Sequence, residues 1–266
     1  MSRFVIFGSW FSKPLSIQGI VWQLSDDTID IRGDWQKLGV HRLLIQWSMV
    51  DNINFLTGHE GIKPNWLSIS KQPWAQDVIL GLAGDFNEKI ARASTLSLAH
   101  ASVQLVSQSG PLKVSGYYFP VEIDPTWHEA PHLVPQALAI LPRPLWVSVY
   151  DNANIGGKTL AKWLSSWLPH DVGVFFQDGV GVEARTAKVA REYADALAQS
   201  LGPDRVKVIV EAFRPKLGGG FRAATEAEFL PQIMAMQGYD IYPFAAQYLN
   251  PTLVAALEKA FNSSRR

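Results

Sequence analysis

Two short stretches end an apolar run on a carboxylate. In "VIVEAFRPK", residues 208–216, Val208 to Val210 read as a buried strand and Glu211 sits where it emerges. In "GYYFPVEID", residues 116–124, Glu122 holds the same place, with Asp124 two residues on as its possible substitute. A charged group at a strand's mouth is expensive unless chemistry uses it. Two carboxyl groups facing one cleft can divide acid–base work. One, kept protonated, hands a proton to a leaving oxygen, and the other attacks or activates water. On a glycosidic bond, a separation of roughly 5–5.5 Å gives retention and roughly 6.5–9.5 Å gives inversion. The bland alternative is an ion pair, and Arg214, three residues past Glu211, is the obvious mate.

Other chemistries find less support. The chain has no cysteine, which removes disulfides, thiolate metal sites and Cys nucleophiles. The six histidines show no HExxH-type spacing and no GxSxG elbow is present, so neither a metal nor another cofactor is expected. The Gly-rich "RPKLGGGF", residues 214–221, could cradle a phosphate. Glu226 and Glu228 at the start of the next helix oppose an anion, and a lid fits the stretch better.

The elements that would position these groups follow a regular order. Apolar strand-like runs appear at 4–10, 42–50, 77–85, 113–122, 144–152, 171–179, 205–213 and 239–245, and most are followed by a helical pattern. A first helix is read over 29–39, closed by Gly39. Thr225 and Glu228 have capping-box spacing, and Asn250–Pro251 reads as an N-cap followed by the first helical residue. Eight alternations in 266 residues predict one (β/α)₈ barrel covering residues 1–266. A doubly wound open sheet is the competing fold, but no Gly-rich phosphate fingerprint follows the first strand.

Barrels of this kind gather function where strands run into helices. The residues there are Trp10 after strand one; Gln46 and Trp47 after two; Asp85 after three; and Glu122 and Asp124 after four, with Tyr118 on that strand. Tyr150 follows strand five, Gln177 and Asp178 strand six, Glu211 strand seven and Tyr242 strand eight. This ring is rich in hydrogen-bonding and aromatic groups and poor in basic ones. It suits a neutral polyhydroxylated ligand, with Trp10, Trp47 and Tyr118 as stacking walls and Gln177 and Asp178 holding hydroxyls or tuning a carboxyl. Lysine plus arginine and aspartate plus glutamate balance at 24 each, so nothing points to nucleic acid or an anionic membrane. No apolar stretch is long enough to span a bilayer. A periplasmic or secreted address is expected if a leader has been removed, a cytoplasmic one otherwise.

The motifs "GYYFPVEID", "FFQDGVGV" and "VEAFRPK" resemble a bacterial family of glycosidase-like TIM barrels linked to exopolysaccharide gene clusters, itself similar to the clan A glycosidases. The resemblance implies a retaining glycosidase acting on a bacterial polysaccharide or oligosaccharide, with Glu122 as acid/base and Glu211 as nucleophile. Polysaccharide-assembly machinery is the partner it implies. The chain departs from the clan A pattern in three places. Val121 replaces the usual Asn before the strand-four Glu, Gln46–Trp47 stands where a basic residue is common, and "QDG" displaces the strand-six aromatic. These departures motivate a second expectation, a non-catalytic glycan-binding barrel in exopolysaccharide assembly.

Overall fold

The computed structural model describes residues 15–263. Eight parallel strands close into a barrel: β1 (Gly19–Trp22), β2 (Arg42–Ile45), β3 (Asp77–Gly81), β4 (Val114–Ile123), β5 (Leu145–Val149), β6 (Val172–Gln177), β7 (Val206–Glu211) and β8 (Asp240–Phe244). Each pairs with its sequence neighbours, and β8 closes the ring on β1 through Val21 and Phe244. The α-helices are α1 (Trp66–Ile69), α2 (Glu88–Ala93), α3 (Thr95–Val106), α4 (Ala130–Ile140), α5 (Gly157–Ser165), α6 (Ala187–Leu201), α7 (Glu226–Ala235) and α8 (Pro251–Ser263). The expected (β/α)₈ architecture is therefore present.

The run at 4–10, read as the first strand, lies outside the described residues. The strand that fills the first place in the barrel is the four-residue Gly19–Trp22, too short and too close to its neighbours to stand out as an apolar run. The helix expected over 29–39 is also absent. Two 3₁₀ turns, Asp26–Thr28 and Trp35–Leu38, occupy that region, and Gly39 closes the second in the left-handed conformation. The capping box of Thr225 and Glu228 forms at the start of α7, as its spacing requires.

Side chains alternate across each strand, so every strand feeds two cores. One lies between sheet and helices. The other fills the barrel with one residue from each of seven strands: Val21, Leu44, Ile79, Tyr118, Phe175, Ile209 and Tyr242, with Trp146 of β5 packed against them. Phe175 is the hub, meeting Tyr118 at 5.5 Å and Tyr242 at 4.9 Å, both edge-on. Trp146 fits because Gly173 faces it, where a Cβ would come within 2.4 Å of the indole. Below this floor, Arg42 pairs with Asp77 and Lys207 with Asp240, which seals the end where the strands begin.

Candidate active site

The same alternation builds the opposite face. One layer above the floor, the inward position is Gln23 after β1, Gln46 after β2, Ser148 on β5, Gln177 on β6 and Glu211 on β7, each two residues beyond its floor residue, and Glu122 on β4, four residues beyond Tyr118. A carboxamide, hydroxyl and carboxyl layer thus lies directly over an apolar floor, at the end where barrel enzymes carry their chemistry.

Glu122 reaches this layer through a defect in β4. Phe119 pairs with Val147, but the next pairing, Glu122 with Ser148, advances three residues against one. Pro120 lies inside this bulge and has no N–H to give the ladder. The freed amide of Glu122 donates instead to Glu88 Oε1 at 2.8 Å. Glu88 is the first residue of α2, and Arg92, one turn on, donates to it at 3.3 Å and to the Glu122 carbonyl at 3.3 Å. The Arg92 guanidinium stands 3.8 Å from Glu122 Oε1. Gln177 Nε2 donates to Glu122 Oε2 and to Ser148 Oγ, both at 2.8 Å. Burial raises the proton affinity of Glu122, and Gln177 and Arg92 oppose that by favouring the anion. Glu88 is pushed up to about 7, first by burial and then by the charge of Glu122. Sequence reading missed Glu88, because a helix-opening Glu looks like an ordinary dipole partner.

Glu211 is buried more deeply. Its Oε2 accepts from Val182 N at 2.9 Å. The β6–α6 loop can approach so closely because residue 181 is glycine: a Cβ there would sit 2.4 Å from Glu211 Cβ. Beside it lies Asp178, fully buried, which accepts from Glu211 N and Val180 N, each at 3.2 Å, and from Gln232 Nε2. Burial raises both carboxyl groups, and the negative Asp178 raises Glu211 further. Asp178 has three donors to hold its charge, so the proton of this pair belongs on Glu211. The alternative, an ion pair with Arg214, does not form. That guanidinium donates to the carbonyls of Glu211, Phe213 and Glu228 and to Gln232 Oε1.

Tyr150 directly follows β5, at the same end of the barrel as the two acids. Its phenol is held above its ordinary proton affinity by burial, then by Glu211, with Glu122 and Asp124 adding smaller effects in the same direction. Arg185 stacks over its ring at 5.1 Å and donates to backbone carbonyls of residues 151, 177 and 178. One side chain thus senses both carboxylates. Gln46 also belongs here, and its buried Oε1 has no partner among the described residues.

Several expected site residues are placed elsewhere. Trp10 lies outside the described residues. Trp47 is buried, with Nε1 donating to Leu24 O at 2.7 Å, so it packs the core and is no stacking wall. Tyr118 is inward but one layer too low, in the floor. Tyr242 is also in the floor, its hydroxyl accepting from Arg42 at the sealed end, 3.2 Å away. Asp124 cannot stand in for Glu122. It is buried, and its oxygens accept from Thr126 N, Thr126 Oγ1 and Asn152 N. Asp178 is too buried to hold a ligand hydroxyl and instead sets the charge environment of Glu211. Asp85 is partly exposed and caps its own turn through Asn87 N at 2.8 Å. The "KLGGG" stretch is the turn of a hairpin joining Phe213–Pro215 to Phe221–Ala223. Lys216 and Gly219 close it by backbone hydrogen bonds, so it is no phosphate cradle. A groove of about 980 Å³ beside α1 and α8 includes neither Glu122 nor Glu211. Among the described residues no three His, Asp or Glu side chains form a metal-binding group, and no helix is long and apolar enough to cross a membrane.

No family model and no curated protein matches the chain. Among solved structures, the chain is similar to one described as a putative alpha-L-fucosidase from Bacteroides thetaiotaomicron VPI-5482. The match has a TM-score of 0.62 and 13% identity, over 99% of this chain and 96% of that one. At that identity the likeness establishes a shared fold, the TIM barrel.

Proposed function

We propose that this protein is a glycoside-hydrolase-like enzyme acting on a neutral bacterial polysaccharide or oligosaccharide, with Glu122 and Glu211 as its working pair. The observation that carries this reading is the pair itself: two inward carboxyl groups in one layer, that of Glu211 turned away from by Arg214 and that of Glu122 met only by Arg92 at 3.8 Å. Their environments differ in the way acid–base chemistry needs. Glu211, next to a buried anion and without a close cation, is the protonated member and gives its proton to the leaving oxygen. Glu122, held by Gln177 and approached by Arg92, is the charged member that attacks or activates water. This assignment reverses the roles implied by the clan A resemblance.

The neutral-ligand reading rests on the rest of the layer. Gln23, Gln46, Gln177 and Ser148 offer donors and acceptors without charge, while Arg92, Arg185 and Arg214 are each engaged within the protein. The test is release of reducing ends from a panel of bacterial exopolysaccharides and oligosaccharides by wild type, E122Q and E211Q. Loss of either partner is expected to lower turnover by about 10²–10⁴-fold. Unchanged turnover in both variants rejects the pair. The second reading, a glycan-binding barrel serving exopolysaccharide assembly, is motivated by Val121 in place of Asn. It predicts tight binding by wild type with no reducing ends released.

A further inference from the structure

Two aromatic side chains are exposed among the described residues, Phe86 at 53% and Phe221 at 47%. Both lie on loops that leave the carboxylate end of the barrel. Phe86 follows β3, and Phe221 is in the hairpin that follows β7. In the ring of eight, β3 and β7 are four strands apart in either direction, so the two rings flank the mouth from opposite sides. Each is backed edge-on by a buried aromatic: Phe86 by Trp47 at 4.7 Å, Phe221 by Phe213 at 4.5 Å. Such backing fixes a ring while leaving part of its surface to solvent.

Each ring is also tied to one acid. Two residues beyond Phe86, Glu88 accepts the amide of Glu122. Phe213 lies two residues beyond Glu211 and extends the aromatic row to Phe244 at 6.3 Å and Tyr248 at 5.3 Å. A contiguous apolar patch would suit a protein or lipid surface. Here two separate rings stand on either side of a mouth of carboxamides and carboxyl groups. That alternation of apolar face and hydrogen-bonding group matches the alternating faces and hydroxyls of a sugar chain.

We propose that Phe86 and Phe221 are the outer stacking platforms of an extended cleft. The ligand is a neutral oligosaccharide running from the β3 loop across the barrel mouth to the β7 hairpin, with an internal sugar over Glu122 and Glu211. This rests on the carbohydrate reading above and deepens it, because a single terminal sugar would not need both platforms.

The test is calorimetric binding of length ladders, from one to six units, of gluco-, manno-, galacto- and chito-oligosaccharides, in the E211Q background to halt turnover. Affinity is expected to climb with length for at least one series. F86A and F221A are each expected to weaken the longer members about threefold to tenfold while leaving the shortest binder unchanged. Both positions are exposed, and thermal melts check that the variants remain folded. If no member of any ladder binds E211Q or wild type, the carbohydrate reading itself falls. If one sugar binds as tightly as six, or F86A and F221A leave the length dependence intact, the extended cleft is refuted and the carbohydrate reading stands.

Discussion

Replacing Gly181 by alanine tests how tightly the β6–α6 loop holds Glu211. The backbone at residue 181 is not in the left-handed region, so the effect of a Cβ is steric rather than conformational. The new atom would lie 2.4 Å from Glu211 Cβ, 2.9 Å from the Phe213 carbonyl oxygen and 3.0 Å from Glu211 Oε2. Two of these neighbours are backbone-fixed, so the loop must lift. Overpacking of this kind costs about 1–3 kcal/mol. Lifting also stretches the 2.9 Å bond from Val182 N to Glu211, and leaving that buried group unmatched adds about 1–3 kcal/mol. For a chain of this size the sum, about 2–6 kcal/mol, corresponds to a fall in Tm of roughly 4–11 °C. Displacing a reacting group by an ångström costs about 10²-fold in turnover. Calorimetric melts and reducing-end assays read the two effects separately. A cycle with E211G isolates their origin, since removing Glu211 Cβ removes the closest clash and should return most of the stability lost in G181A. A G181A protein with wild-type melting, or strict additivity with E211G, refutes the argument that the glycine exists to seat this carboxyl group.

Three further outcomes follow from the same geometry. Because Glu211 and Asp178 hold protons more tightly folded than unfolded, their contribution to stability is whole below the ordinary carboxylate range and declines as pH rises through the raised values. Melts across that range should show a shallower decline in E211Q than in wild type, and D178N should move the alkaline limb of any activity profile to lower pH. E122Q removes the charge that helps to hold Glu88 at about 7, so carboxyl ¹³C NMR should show Glu88 titrating at lower pH. If E122Q leaves that titration in place, the charge of Glu122 does not govern it. Y242F should lose about 0.5–1.5 kcal/mol with its Arg42 hydrogen bond and leave glycan binding unchanged, and weakened binding would return Tyr242 to the site.

Strands β4 to β8 were legible because each is a long apolar run bounded by turn residues, and reading their ends picked out Glu122, Gln177 and Glu211, which lie in the inward layer. β1 was not, because four residues offer too little periodicity to compete with a stronger apolar run nearby. The stacking residues failed for a different reason. Trp47 is adjacent to Gln46, and alternation alone would have turned it outward. Tyr118 and Tyr242 do face inward, and what excludes them is depth: both sit level with Phe175 rather than one layer above it. Depth depends on where the ladder starts and on bulges such as the one at Pro120, and neither is written in local composition. Glu88 was hidden for the same reason, since it becomes relevant only once the bulge frees an amide for it.

The disposition of the arginines bears on whether the acids are structural. A buried carboxylate kept for stability is normally matched by a cation, because an unmatched charge inside a protein costs several kcal/mol. Arg214 is close enough in sequence to serve Glu211, and Arg185 packs against the same loop. Both turn to backbone carbonyls instead. Glu211 therefore meets its burial by holding a proton, a solution that gains nothing for the fold over glutamine but leaves an acid ready to donate. The arginines meanwhile brace the loops after β5, β6 and β7, where an anion-binding site would have turned them toward the mouth. A barrel arranged in this way gives up alkaline stability to keep an acid unpaired, and E211Q should recover that stability, while on the proposed reading it lowers turnover.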